Sequence, residues 1–403
     1  MDLTPEERRA RRARARRRRV RRRRLAALGA VAALAIGVAA VASGGFDAGP
    51  SVPAAAQADG AVAPRPGTPV ARPAPATPVA RPAGDRARTV RLALVGDIVM
   101  GTTEYGLPPD GGRHLFRPVA PLLTGDVVVG NLEGTLTTRG VSKCGAGSPN
   151  CFAFRTPPGY AANLRRAGFT VMNLANNHSN DYGPVGLADT VQALGRAGLR
   201  ETGRPGRYVV VTTRSGVRVA VLGFATYAWA NRVDDIPAAR ALVRRAAAEA
   251  DVVVVTMHAG AEGSDRQRVR PGVEYYLGEN RGDVMAFSRA VVDAGADLVV
   301  GHGPHVLRGM EFHRGRLIAY SMGNFTGWKA FSLGGPLGTS GVLQVTLRAD
   351  GAWVSGRFRP TYMVPPGAPV PGGSGITQVA ALSRQDFGAR GARIGADGAI
   401  RRP

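Results

Sequence analysis

The chain has 403 residues, a formal net charge of +24 and two cysteines. Two cysteines exclude a disulfide-dense scaffold and a four-cysteine zinc fold, and so large a charge makes nucleic acid the first partner to consider. Its placement argues against that partner: 13 arginines against Asp2, Glu6 and Glu7 lie within Met1–Arg24, and the remainder is scattered with few aromatic residues between, the pattern of solvated surface.

Residues 1–24 form an arginine-rich leader. Residues 25–43, from Leu25 to Ser43, are an uncharged run just long enough to span a bilayer, and the positive charge before it keeps that side in the cytoplasm. The run reads as a transmembrane or signal-anchor helix, or as a cleaved secretory signal, because Val41-Ala42-Ser43 also suits a signal peptidase. The expected location is the cell membrane, single-pass with the body outside the cytoplasm, or secreted if the run is removed. Residues 44–88 are a Pro/Ala-rich linker containing the near-repeats Thr68–Ala74 and Thr77–Ala83, a composition that blocks helices and ladders and favours extended spacers.

The body, 89–365, alternates apolar runs at 90–95, 127–129, 170–174, 208–212, 217–224, 252–257 and 297–300 with helical patterns near 157–168, 184–198, 237–250 and 283–295. After Arg316 the rhythm becomes strand upon strand, and Ala349-Asp350-Gly351 predicts a hairpin between 341–348 and 353–358. These rhythms predict an α/β fold of two facing sheets with helices outside. Residues 366–403 read as a C-terminal extension with one short helix around Thr377–Ser383 and a glycine-rich return strand. Cys144 and Cys151 are spaced to close a loop in an oxidising compartment, or stand as two surface thiols.

Four of the six histidines, His178, His258, His302 and His305, follow apolar runs, where buried strands deliver their ends. With Asp97, Glu133 and Asn177 they form a mixed nitrogen and oxygen set suited to one or two divalent ions such as manganese, zinc or iron. His114 and His313 have no such setting. Gly96, Gly130 and Gly301 are expected at close backbone approaches or tight turns.

In order along the chain, Gly96-Asp97, Asn131-Leu132-Glu133, Leu174-Ala175-Asn176-Asn177-His178 with Asp181, His258-Ala259-Gly260-Ala261-Glu262, Gly301-His302-Gly303-Pro304-His305 and Tyr320-Ser321-Met322-Gly323-Asn324-Phe325 resemble the successive motifs of the CapA family, named for poly-γ-glutamate capsule synthesis and similar to calcineurin-like metallophosphoesterases. The resemblance implies a two-sheet α-β-β-α sandwich of metallophosphoesterase type. It also implies metal ligation by Asp97, Glu133, Asn177, His258, His302 and His305, with His178 as the acid or anion-stabilising residue. Asp181 would orient the His178 ring or cap the next turn; Glu262 would support the site or stand in an exposed loop; Asn324 would orient a ligand or close a turn. Three positions depart from the broader phosphoesterase pattern: Val99 stands where a histidine is usual, Glu133 replaces an aspartate, and Gly303-Pro304 splits the last histidine pair. The implied role is synthesis or export of an anionic capsule polymer together with capsule-synthesis partners. The alternatives are a general extracytoplasmic phosphoesterase and a non-catalytic domain that binds polymer or assembly partners.

Overall fold

The computed structural model describes residues 87–144 and 151–403. The arginine-rich leader, the apolar run 25–43 and the linker as far as residue 86 lie outside the described residues; within them no helix is long and apolar enough to cross a membrane.

In chain order the principal elements are β1 (Thr89–Val99), β2 (Val127–Leu132), α1 (Ala161–Ala167), β3 (Val171–Asn173), α2 (Gly183–Arg196), β4 (Arg200–Thr202), β5 (Val209–Thr212) and β6 (Arg218–Ala225). There follow α3 (Ile236–Glu249), β7 (Val252–His258), α4 (Val284–Ala294), β8 (Leu298–His302), β9 (Met310–His313), β10 (Arg316–Ala319), β11 (Asn324–Gly327), β12 (Thr339–Arg348) and β13 (Trp353–Val364). The last are β14 (Ala368–Pro371), α5 (Gly375–Phe387), β15 (Arg393–Ile394) and β16 (Ala399–Arg401). Local chemistry sets several boundaries. Asp235 and Asp283 cap α3 and α4 by accepting from the Ala238 and Ala286 amides, and Gly168, at φ +108°, ends α1 in a conformation that costs glycine little.

Two sheets result. The first runs β15-β16-β13-β12-β1-β2-β3-β4, with β11 also pairing β1 and β14 pairing β13. The second runs β9-β10-β8-β7-β6-β5, parallel in its middle and antiparallel at both edges. The extension 366–403 therefore does not stand apart, because it adds strands to the first sheet and packs α5 against the core.

Period-two alternation explains why the runs are apolar without a break. Val90, Leu92 and Leu94 of β1 meet Val219, Val221, Val252, Val254, Leu298 and Val300 of the second sheet in one buried cluster. Their neighbours Ala93, Val95 and Ile98 face outward onto Leu164 of α1 and Leu194 of α2. In the second sheet Leu222, Val253, Val255 and Val299 likewise face Val243 of α3 and Val291 of α4. The molecule is thus helix, sheet, sheet, helix in four layers.

Backbone approach is closest at glycines. A Cβ on Gly96 would lie 1.9 Å from the Gly323 carbonyl oxygen, and one on Gly301 would lie 2.1 Å from that of Tyr320. The expected result for Gly96→Ala is a loss of about 3 kcal/mol or more in urea denaturation, because the backbone has to part where the Asp97 amide donates to Gly323 at 2.9 Å.

A buried carboxylate ties the second sheet to its surroundings. Glu311 accepts from Arg289 Nε and Nη2, both at 2.9 Å, from the Tyr320 hydroxyl at 2.7 Å and from Arg390 Nε at 3.3 Å. Burial alone would raise its carboxyl, yet the bonds from Arg289 and Tyr320 hold it below the usual range. A depressed carboxyl stabilises the fold above its unfolded value, about 4.3, and loses that contribution as pH falls through the lower folded value. Glu311→Gln should accordingly cost roughly 2 kcal/mol at pH 7, with the deficit shrinking in denaturation curves below about pH 4.

Candidate metal centre

The carboxyl ends of β1 and β2 from one sheet and of β7 and β8 from the other converge on one buried set of polar groups. Parallel register places Asp97 opposite Asn131 and His302 opposite His258. Asn131 is the hub. Its Nδ2 donates to Asp97 Oδ1 at 2.8 Å and lies 3.0 Å from His258 Nδ1, while its Oδ1 accepts from Asn173 at 2.8 Å and Asn176 at 3.1 Å. These buried amides satisfy one another, so they hold the acid and the imidazole in fixed places.

Asp97, Glu133 and His258 offer three buried donor atoms within 4.8 Å of one another. Around Glu133 Oε1 stand three imidazole Nε2 atoms, of His305 at 3.6 Å, His258 at 3.7 Å and His178 at 3.9 Å. All three gaps exceed hydrogen-bond reach. Both Glu133 oxygens and Asn177 Oδ1 are buried with no hydrogen-bond partner, which is costly unless a cation takes them. Asp97, Glu133 and His258, with the orphaned Glu133 oxygens, fit a divalent ion.

His305 adopts φ +61°, a left-handed backbone uncommon among residues other than glycine. That turn puts its Nδ1 3.2 Å from Asp97 Oδ2 and 2.8 Å from Asn324 Oδ1. Its Nε2 lies 3.6 Å from Glu262 Oε2. Asn324 thus orients a ring of the cluster, and Glu262 belongs to it as well.

Electrostatics divides these groups. Burial would raise Asp97, but bonds and charge from His258 and His305 hold it well below the usual carboxylate range. Burial pushes Glu133 well above that range, helped by the charges of Asp97 and Glu262 and against the pull of His305. His258 is driven down to about 4 by burial. Burial also works against the His305 cation, yet Glu133, Glu262 and Asp97 lift it to about 10.

His178 faces the cluster with Nε2, and its Nδ1 lies 2.8 Å from Asp181 Oδ2. A carboxylate only accepts, so Nδ1 carries the proton and Nε2 is left free toward Glu133. Burial lowers the His178 pKa in spite of Asp181, leaving a neutral ring at pH 7. Asp181 is therefore placed to orient the ring.

His302 is not directed at the carboxylates. Its Nε2 donates to the Val95 carbonyl at 2.8 Å, and Nδ1 lies 3.1 Å from Thr256 Oγ1 and 3.3 Å from the Met257 carbonyl. Here the ring latches β8 to β1 across the two sheets. A lone strand-end histidine carries no sign of which neighbour it will meet.

Several participants escaped the sequence reading. Arg281, 1% exposed, pairs with Glu262 at 2.8 Å and comes within 3.5 Å of His258 Nε2. It arrives on a two-strand hairpin, Tyr275–Tyr276 with Glu279–Asn280, too short to leave an apolar signal. Lys143 lies 2.7 Å from Asp181 Oδ1, and the Phe154 ring packs 4.4 Å from that of His178. Cys144 and Cys151 are joined as a disulfide.

The family model described as "Bacterial capsule synthesis protein PGA_cap" matches residues 91–327. Over 261 residues the chain is 33% identical to the capsule biosynthesis protein CapA of Bacillus anthracis, covering 59% of this chain and 60% of that protein. It is 31% identical over 294 residues to the PGA biosynthesis protein CapA of Bacillus subtilis, covering 67% and 70%. A probable polyglutamine synthesis accessory protein of Mycobacterium tuberculosis is 32% identical over 225 residues, covering 49% and 55%. The chain therefore spans about three fifths of the Bacillus anthracis relative's length. Among solved structures, a 5'-nucleotidase precursor from Thermus thermophilus aligns with TM-score 0.39 and 17% identity over 75% of this chain and 60% of that one.

Proposed function

Because the chain belongs to the bacterial capsule synthesis protein family, we propose that it acts outside the cytoplasm, tethered by residues 25–43, in synthesis or export of an anionic polymer of the poly-γ-glutamate kind. Its site would be of metallophosphoesterase type and work as a metal-dependent hydrolase. The observation that carries the chemical half of this reading is the pair of orphaned Glu133 oxygens with three imidazoles aimed at one of them.

Asp97, Glu133 and His258 would hold the ion, with Asn177 and His305 as further donors. A divalent ion in this set supplies positive charge that polarises a phosphoryl or carbonyl oxygen and acidifies water. Asn131 keeps Asp97 and His258 in place. His178 would take at Nε2 the proton that the attacking water gives up and pass it to the departing oxygen, while Asp181 fixes the Nδ1–H tautomer and steadies the charged ring. Burial of the whole set keeps competing water from these groups.

The test is metal analysis of the purified chain, with turnover of a chromogenic phosphodiester before and after chelation. A bound ion and chelation-sensitive turnover are expected. A bound ion without turnover would point to a domain that binds polymer or assembly partners, and turnover with no effect of gene deletion on polymer would point to a general phosphoesterase.

A further inference from the structure

The Asp181 carboxylate, fully buried, is gripped by two arms of chain that the Cys144–Cys151 disulfide ties together. On one arm Lys143, next to Cys144, places Nζ 2.7 Å from Asp181 Oδ1 and donates to the Asn177 carbonyl at 3.1 Å. Its backbone amide donates to the Asp181 carbonyl at 2.8 Å. On the other arm the Phe154 amide donates to Asp181 Oδ2 at 2.7 Å, the same oxygen that accepts from His178. The Phe154 ring lies against the His178 imidazole, and its carbonyl accepts from the Thr135 amide at 2.9 Å and the Thr135 hydroxyl at 3.0 Å, two residues beyond Glu133. The disulfide holds Cys144 and Cys151 at a Cα separation of 5.5 Å.

We infer that Lys143 and Phe154 are the positioning residues of the His178–Asp181 pair, and that the disulfide holds them there, so that the pair is set only in the oxidised protein. This deepens the proposed role of His178 and rests on it. Each atom has a task. Lys143 supplies the cation that a buried carboxylate needs. Phe154 fills the second acceptor direction of Oδ2, which leaves one direction for His178 Nδ1–H. Its ring blocks rotation of the imidazole. Opening the disulfide removes the cross-link between Cys144 beside Lys143 and Cys151 on the Phe154 arm, and the arms lose their register on Asp181 before the sheets are affected.

The experiment uses the full chain, oxidised and after dithiothreitol. Amide hydrogen exchange is followed at Lys143 and Phe154, and the His178 ring tautomer by nitrogen-15 NMR; neither readout needs a substrate. Reduction should speed exchange at both amides by at least about tenfold and replace the single Nδ1–H tautomer by a mixture, with exchange in β1 and β7 unchanged. Lys143→Met should mix the tautomers with the disulfide intact, and Lys143→Arg should restore the single form. If Lys143→Met does not fold, the reduced wild-type chain makes the same comparison. The proposal is overturned by an unchanged tautomer in the reduced protein, by two free thiols in the oxidised preparation, or by loss of protection throughout the body on reduction. Absence of phosphodiester turnover with the tautomer shift present would count against the catalytic reading alone.

Discussion

Glu133→Gln is expected to raise the melting temperature of the metal-free protein while removing its response to divalent ions. The wild-type carboxylate is buried beside Asp97 and Glu262 with neither oxygen hydrogen-bonded. Such an unsatisfied group costs about 1–3 kcal/mol, and a neutral amide of the same shape escapes the part due to like charge. At about 2–4 °C per kcal/mol for a domain of this class, the gain should be a few degrees in a chelator-treated thermal scan. Addition of manganese or zinc should reverse the order. A ligand at a hundred times its dissociation constant stabilises by about 2.7 kcal/mol, which the wild type gains and the variant loses. A variant that stays less stable than wild type under chelation would show that Glu133 has a protein partner and needs no ion.

His178→Ala should lower phosphodiester turnover by about 10²–10⁴-fold, the range for losing a positioned proton carrier, and leave the bound metal unchanged. The division follows from geometry. His178 Nε2 is the most distant of the three imidazoles from Glu133 Oε1, at 3.9 Å, and its other nitrogen is committed to Asp181. His258→Ala, by contrast, should lower the metal content, because His258 belongs to the tightest donor group. Equal metal loss in both variants would move His178 from proton transfer to ligation. Full recovery of polymer in a deletion strain carrying His178→Ala would remove it from catalysis.

The fold was legible where a long strand is buried on both faces, and not in short buried strands such as β9 and β11. Runs at 217–224 and 252–257 became β6 and β7 almost residue for residue, and the run at 90–95 became the first part of β1, which continues to Val99, since an interior strand between a helix layer and another sheet has no polar side to interrupt it. The expected helices near 184–198, 237–250 and 283–295 became α2, α3 and α4. Short pieces were not legible: β4 and the hairpin that brings Arg281 are two or three residues long and take their shape from neighbours already in place. In the site, histidines after apolar runs marked the edge where the sheets deliver their side chains, and Asp97, Glu133, His178, His258 and His305 do meet there. The direction of each ring was beyond reach. His302 and His258 end adjacent strands in register, yet one ring latches the two sheets through Val95 and the other faces Glu133. Asn131 was visible as part of a motif, but its work depends on Asn173 and Asn176 from a separate strand and loop.

Anomalous scattering from crystals of the chain grown with manganese addresses the metal centre most directly. The expected map has its strongest peak among Asp97 Oδ1, Glu133 Oε1 and the His258 ring, with any second peak on the side of His305 and Glu262. A map whose peaks lie only elsewhere, with the Glu133 oxygens taken up by protein or water, would contradict a metal centre at this junction of the two sheets.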